Sequence, residues 1–96
     1  MYYYFIAQIR IDDEGVYQRY LDEAGHVFSR FSGKYLAVDT APELLEGKWN
    51  YSRTVVIRFN NKKDFEQWYY SKEYQEILKH RLEASHCDTI LVKGME

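Results

Sequence analysis

The chain opens on an alternating run. Between residues 2 and 11, Phe5, Ala7, Ile9 and Ile11 fall on one side and Tyr4, Ile6, Gln8 and Arg10 on the other. Aromatic and β-branched residues in period-two alternation predict a strand. The period then changes. Val16, Tyr17, Tyr20, Leu21, Ala24, Val27, Phe28 and Phe31 recur at three- and four-residue steps, which predicts a helix with one apolar stripe. Asp12-Asp13-Glu14 offers an N-cap and acids for its first turn, and Ser32-Gly33 is expected to end it, with Gly33 in the left-handed conformation. A short strand follows over 34–40, then a loop over 41–50 punctuated by Pro42 and Gly47. The third strand, 51–60, sets Arg53, Val55, Ile57 and Phe59 on one side and Thr54, Val56 and Arg58 on the other. Asn61 can cap a short helix carrying Phe65, Trp68 and Tyr69. Ser71 caps a second segment whose stripe is Tyr74, Ile77, Leu78 and Arg81. The last strand, 87–94, sets Ile90 and Val92 opposite Thr89, Leu91 and Lys93.

The order strand–helix–strand–strand–helix–strand predicts one α+β domain over residues 1–96. A ferredoxin-like βαββαβ sheet satisfies it: four antiparallel strands, right-handed crossovers and helices on one face. The helix-free face is expected to carry Tyr4, Ile6, Gln8, Arg10, Thr54, Val56, Arg58, Thr89, Leu91 and Lys93. That face is more apolar than a fully solvated one. Stacking two such sheets in a symmetric contact would cover it, so a homodimer is expected.

Composition narrows the function classes. The net charge of −2 gives no field that recruits nucleic acid or an acidic membrane. RNA-recognition modules share this topology, but they display aromatics on the third strand, where this chain shows Thr54, Val56 and Arg58. The apolar N-terminus is interrupted by Gln8 and Arg10 too early for a membrane span, and it lacks the basic start of a signal peptide. One cysteine, Cys87, excludes an internal disulfide and fits the cytoplasm. Aromatics make up 18% of the chain, with ten Tyr, and tyrosine suits walls that are half apolar and half wet.

The candidate chemistry rests on two arginines. Arg53 shares a face with Val55, Ile57 and Phe59, so it should point beneath the helices. A buried guanidinium needs partners, and a ligand carboxylate can supply them. The alternatives are an internal pair with Glu46 or another acid, or a side chain that snorkels out. Arg81 follows Tyr74, Ile77 and Leu78 on one stripe, and either joins the same pocket or keeps its head in water. Tyr35, Trp49, Trp68 and Tyr74 are candidate pocket walls, with Trp49 at the rim and Trp68 more simply read as core. Tyr17 and Tyr20 belong to the stripe of the first helix; their hydroxyls can reach the cavity, but packing explains them. The spacing of His26, His80 and His86 gives no metal site, and Cys87 has no histidine that would make it a nucleophile.

Several runs carry a family resemblance. They are Ser32-Gly33-Lys34-Tyr35-Leu36, Leu45-Glu46-Gly47-Lys48-Trp49, Arg53 ahead of Val55-Val56-Ile57-Arg58-Phe59, and Trp68-Tyr69-Tyr70-Ser71-Lys72-Glu73-Tyr74, with Arg81 and Gly94. Together they resemble domain of unknown function 1330, in the dimeric α+β barrel superfamily. Ser32, Asn60-Asn61 and Lys72 depart from its pattern. The resemblance implies a ferredoxin-like fold and a face-to-face dimer, and no agreed activity. Wider relatives include cofactor-free monooxygenases, lactone isomerases and haem-handling enzymes, a likeness of fold alone.

The reading is therefore a small-molecule-binding homodimer needing no cofactor or metal, with a small anionic or aromatic ligand. It is either a cofactor-independent enzyme on a small organic acid or aromatic metabolite, with Tyr35 or Tyr74 donating a hydrogen bond or, if Arg53 lowers the phenol pKa, moving a proton, or a non-catalytic binding or assembly protein. A weaker haem reading nominates Trp68 and His80.

Overall fold

The computed structural model describes residues 1–95. Alternation makes strand β1, Tyr3–Ile11, and the stripe beginning at Val16 makes helix α1, Glu14–Phe28. The Asp13 carboxylate caps α1 by accepting from the Val16 amide at 3.1 Å. Strands β2, Lys34–Asp39, and β3, Arg53–Phe59, follow. Helix α2, Lys62–Tyr69, is capped by Asn61, and α3, Lys72–Ala84, by Ser71. Strand β4, Ser85–Lys93, leaves α3 without a loop. The four strands form an antiparallel sheet in the order β2-β3-β1-β4, so β1, first in the chain, sits inside between two strands made late.

The helices cover one face. Phe5, Ala7 and Ile9 of β1 and Val55, Ile57 and Phe59 of β3 are buried beneath them, as their alternation predicts. Rings fill the space above. Trp68 contacts Phe5, Phe28, Phe59, Phe65, Tyr69 and Tyr74, with centroid separations from 4.3 to 6.1 Å. At the far corner the Ala84 carbonyl accepts from the amides of both Asp12 (2.7 Å) and Asp13 (3.0 Å), which ties the β1–α1 turn to the α3–β4 junction.

Three local expectations are corrected. Helix α1 ends at Phe28, because tighter bonds take over: Arg30 N–H to the Val27 carbonyl and Phe31 N–H to that of Phe28. Gly33 is not left-handed; the one glycine with positive φ among the described residues is Gly47, at +88°. Gly33 is needed for room, since a Cβ there would lie 2.6 Å from the Phe59 ring and 2.7 Å from that of Phe28.

The third correction concerns β4. Its register puts Leu91 beside Phe5, Thr89 beside Ala7 and Cys87 beside Ile9, on the helix side. Val92 lies beside Tyr4 and Ile90 beside Ile6, on the open face. The expected placement of Thr89, Leu91 and Lys93 on the open face is therefore inverted. Alternation defines two sets of residues but not which set faces in. On an edge strand both sets are partly apolar, and the direct junction with α3 decides the phase. The open face is more apolar as a result: Ile90 is 59% and Val92 39% exposed, beside Tyr4, Ile6 and Val56.

Candidate functional site

The sheet and the two long helices enclose a small cavity of about 30 Å³. Ala7, Ile9, Val55 and Ile57 form its floor, and Tyr17, Tyr20, Leu21 and Ala24 of α1 its roof. Arg53, Arg81, Tyr35 and Trp68 complete the lining. Arg53 reaches it because it opens β3 in the inward phase. The Ser52 N–H donates to the Ile9 carbonyl at 2.8 Å and the Ser52 hydroxyl accepts from the Ile11 amide at 3.0 Å, fixing that strand end against β1. Arg81 reaches it from the last full turn of α3, where the Ser85 hydroxyl donates to its carbonyl.

Arg81 is 2% exposed, so its head is not in water. Its guanidinium carbon lies 5.9 Å from the Tyr20 ring centroid. Arg53 is half-buried. Neither forms an ion pair among the described residues, and the expected pairing of Arg53 with Glu46 is not found. Glu46 lies on the loop after β2. Three enclosed N–H donors of the cavity-lining residues have no partner among the described residues: Arg53 Nε, Arg81 Nε and Trp68 Nε1.

Tyr74 stands one layer behind the lining, its hydroxyl 2.8 Å from that of Tyr20. One hydroxyl donates to the other, which leaves one of the two protons without an acceptor in the pair. Tyr17 and Tyr20, which the helical stripe explains by packing with hydroxyls in reach of the cavity, do line it.

Trp49 does not reach the cavity. The loop turns at Gly47 and packs Trp49 edge-on against Tyr51, with centroids 5.0 Å apart. There it helps to line a separate surface groove of about 340 Å³ with Pro42, Leu44 and Leu45. His80 and Trp68 are not brought together either. His80 faces Arg19, Asp22 and Glu23 on the surface. No group of His, Cys, Asp and Glu is placed to hold a metal among the described residues.

The tyrosines do not become bases. Burial raises the Tyr17 pKa to about 12, against the opposing pull of Arg53 and Arg81. Burial likewise raises Tyr74 to about 12, against Arg81, and Tyr20 well above the ordinary range. Burial raises Tyr35 too, although Arg53 opposes it. The expected activation of a phenol by Arg53 is thus overturned: desolvation outweighs the neighbouring cation.

These shifts make a prediction. An unfolded phenol titrates near pH 10, so above that pH the unfolded chain sheds protons that the folded chain retains. The contribution is fully present below pH 10 and is lost as pH rises toward about 12. Denaturant midpoints should be flat through neutral pH and fall across that window, and Tyr17→Phe should flatten the fall.

A ferredoxin-like domain with two uncompensated arginines between helices and sheet is the class of protein defined here. Within it, the chain belongs to the family described as domain of unknown function (DUF1330), whose model matches residues 2–95. None of the curated proteins compared with it matches. Among solved structures it is similar to a protein of unknown function from Rhodopseudomonas palustris, with 18% identity over 99% of this chain and 83% of that one (TM-score 0.81). A dimeric ferredoxin-like protein of unknown function from Thermobifida fusca is 15% identical, over 98% of this chain and 92% of that one (TM-score 0.73). SnoaB, a cofactor-independent oxygenase from Streptomyces nogalater, is 10% identical, over 99% of this chain and 94% of that one (TM-score 0.70). At these identities the likeness is one of fold.

Proposed function

We propose that the domain is a homodimer that binds a small organic acid, aromatic or aliphatic, in the cavity between α1, α3 and the sheet. Arg53 and Arg81 anchor the anionic group. One observation carries the reading: three enclosed N–H donors, two of them on charged guanidinium groups, belong to one cavity and lack acceptors among the described residues. Each such donor costs about 1–3 kcal/mol. An oxyanion relieves that cost and supplies the missing charge.

A panel of small carboxylates in a thermal-shift assay tests it. At about a hundred times its dissociation constant a bound acid adds about 2.7 kcal/mol. For a chain of this length that raises Tm by about 10–20 °C. The shift should disappear in Arg53→Ala. If no carboxylate moves the melt, the anion pocket is wrong.

Between catalysis and binding alone, the raised phenol pKa values favour binding, because no lining residue serves as a base near neutral pH. The oxygenase reading has the SnoaB likeness behind it. Incubating a bound acid with the protein in air and following oxygen uptake and product separates the two.

The homodimer is supported by the apolar open face and by the neighbours described as dimeric ferredoxin-like proteins. Stacking two sheets would cover Ile6, Val56, Ile90 and Val92. Sedimentation at micromolar concentration should return twice the chain mass. The double substitution Val56→Lys with Ile90→Lys should return one. The single half-exposed cysteine, Cys87, favours the cytoplasm. No described helix is long and apolar enough to cross a membrane. Against nucleic acid stand the net charge of −2 and the lack of stacking aromatics on the open side of β3.

A further inference from the structure

We infer that the anion taken by this cavity carries two negative charges: a compact oxydianion, either a short dicarboxylate or a phosphoryl group, held between Arg53 and Arg81. This rests on the anion pocket proposed above and adds the ligand's charge.

The first argument is charge balance. A guanidinium stays protonated in a protein. Arg53 and Arg81 therefore bring two positive charges to one cavity. The acids that pair elsewhere do so with other groups: Asp12 with Arg10, Glu76 with Lys79, and Asp88 with the His86 ring and the Tyr51 hydroxyl. The tyrosines lining the cavity keep their protons. A singly charged ligand would neutralise only one of the two guanidinium groups, leaving either buried Arg81 or half-buried Arg53 without a counter-charge, the former at the greater cost.

The second argument is hydrogen-bond sense. The polar groups around the cavity are the N–H donors of Arg53, Arg81 and Trp68 and the hydroxyls of Tyr17, Tyr20 and Tyr35, which donate as well as accept. No carboxylate or amide oxygen is among the lining side chains. A ligand ammonium could be met only by phenol oxygens and would add a third positive charge beside the two guanidinium groups. Carboxylate and phosphoryl oxygens accept only.

The third is size. A cavity of about 30 Å³ accepts about two water-sized groups. That is less than the five or six heavy atoms of phosphate or oxalate, so one or two of the anion's oxygens enter and the remainder lies at the mouth beside half-buried Arg53. Arg53 and Tyr35 are the more exposed of the polar lining residues, and the rest of the ligand would extend past them.

Calorimetric titration at pH 8 and constant ionic strength tests the inference, with oxalate and inorganic phosphate as dianions and oxamate and monomethyl oxalate as matched monoanions. At least one dianion should bind about tenfold or more tightly than both monoanions, as expected for a close charge pair. That advantage should vanish in Arg53→Gln and in Arg81→Met, whose circular dichroism verifies folding. Preference for oxalate identifies a dicarboxylate, and preference for phosphate a phosphoryl group. Equal binding of both classes, still dependent on the arginines, overturns the dianion and leaves the anion pocket standing. No binding by any probe, or binding indifferent to both arginines, overturns both.

Discussion

Arg81→Met is expected to make the free domain more stable while abolishing its response to acids. The side chain is 2% exposed, its Nε has no partner, and no acid compensates it among the described residues. Methionine preserves much of the aliphatic stem and removes the desolvated charge. What is lost is a contact with the face of Tyr20 at 5.9 Å, worth about 0.5–2 kcal/mol. What is gained is larger, because a buried charge without a counter-ion is costly to hold out of water and methionine removes it. The net expectation is a rise in the urea midpoint with an unchanged slope, together with no carboxylate-induced shift in Tm. A fall in stability of more than about 1 kcal/mol would show that the native fold already compensates this cation, and the cavity would lose its claim on an anion.

Trp68→Ala should have the opposite effect and the largest magnitude. The indole is 1% exposed and joins α2 to the sheet through Phe5 and Phe59, to α1 through Phe28 and to α3 through Tyr74. Truncation should cost about 3–5 kcal/mol from lost transfer energy and the void left behind. Small domains have total stabilities of about 5–15 kcal/mol. The variant should therefore be substantially unfolded by mild denaturant, and its circular-dichroism melt should fall well below that of wild type. Trp68→Phe should recover much of the loss, since it refills most of the volume. If alanine cost less than about 1 kcal/mol, the ring cluster would not be what holds the layers together.

Much of this was legible in the residues. The inward phase of β1 and β3 followed from period-two alternation, because both strands lie inside the sheet and only one face of each is covered by helices. Caps at Asn61 and Ser71 were legible because a side-chain oxygen satisfying an orphan amide is a local matter. Arg53 pointed beneath the helices for the same reason as Val55. The phase of β4 was not legible, since an edge strand bears apolar residues on both faces. Trp49 was misplaced because a loop's path depends on tertiary contacts, here a turn at Gly47 and a ring-on-ring contact with Tyr51. The tyrosine protonation was misjudged because spacing reveals a neighbouring cation but not the depth of burial that outweighs it. Gly33 was assigned to backbone freedom when its role is steric. Only the packed rings of Phe28 and Phe59 expose that difference.

Strand β1 pairs with β3 and β4 and with nothing nearer in sequence. During synthesis, then, β1 waits with no hydrogen-bonding partner until β3 has emerged, and its other edge stays open until β4 has followed. No N-terminal fragment ending before Arg53 contains a β1 pairing, so premature termination yields material for proteolysis rather than a half-domain. Contacts closing such long loops also slow folding relative to a helical bundle of equal length. The nascent domain accordingly exposes β1, aromatic and unpaired, until β3 has been made, which makes chaperone engagement at that stage a property of the topology itself.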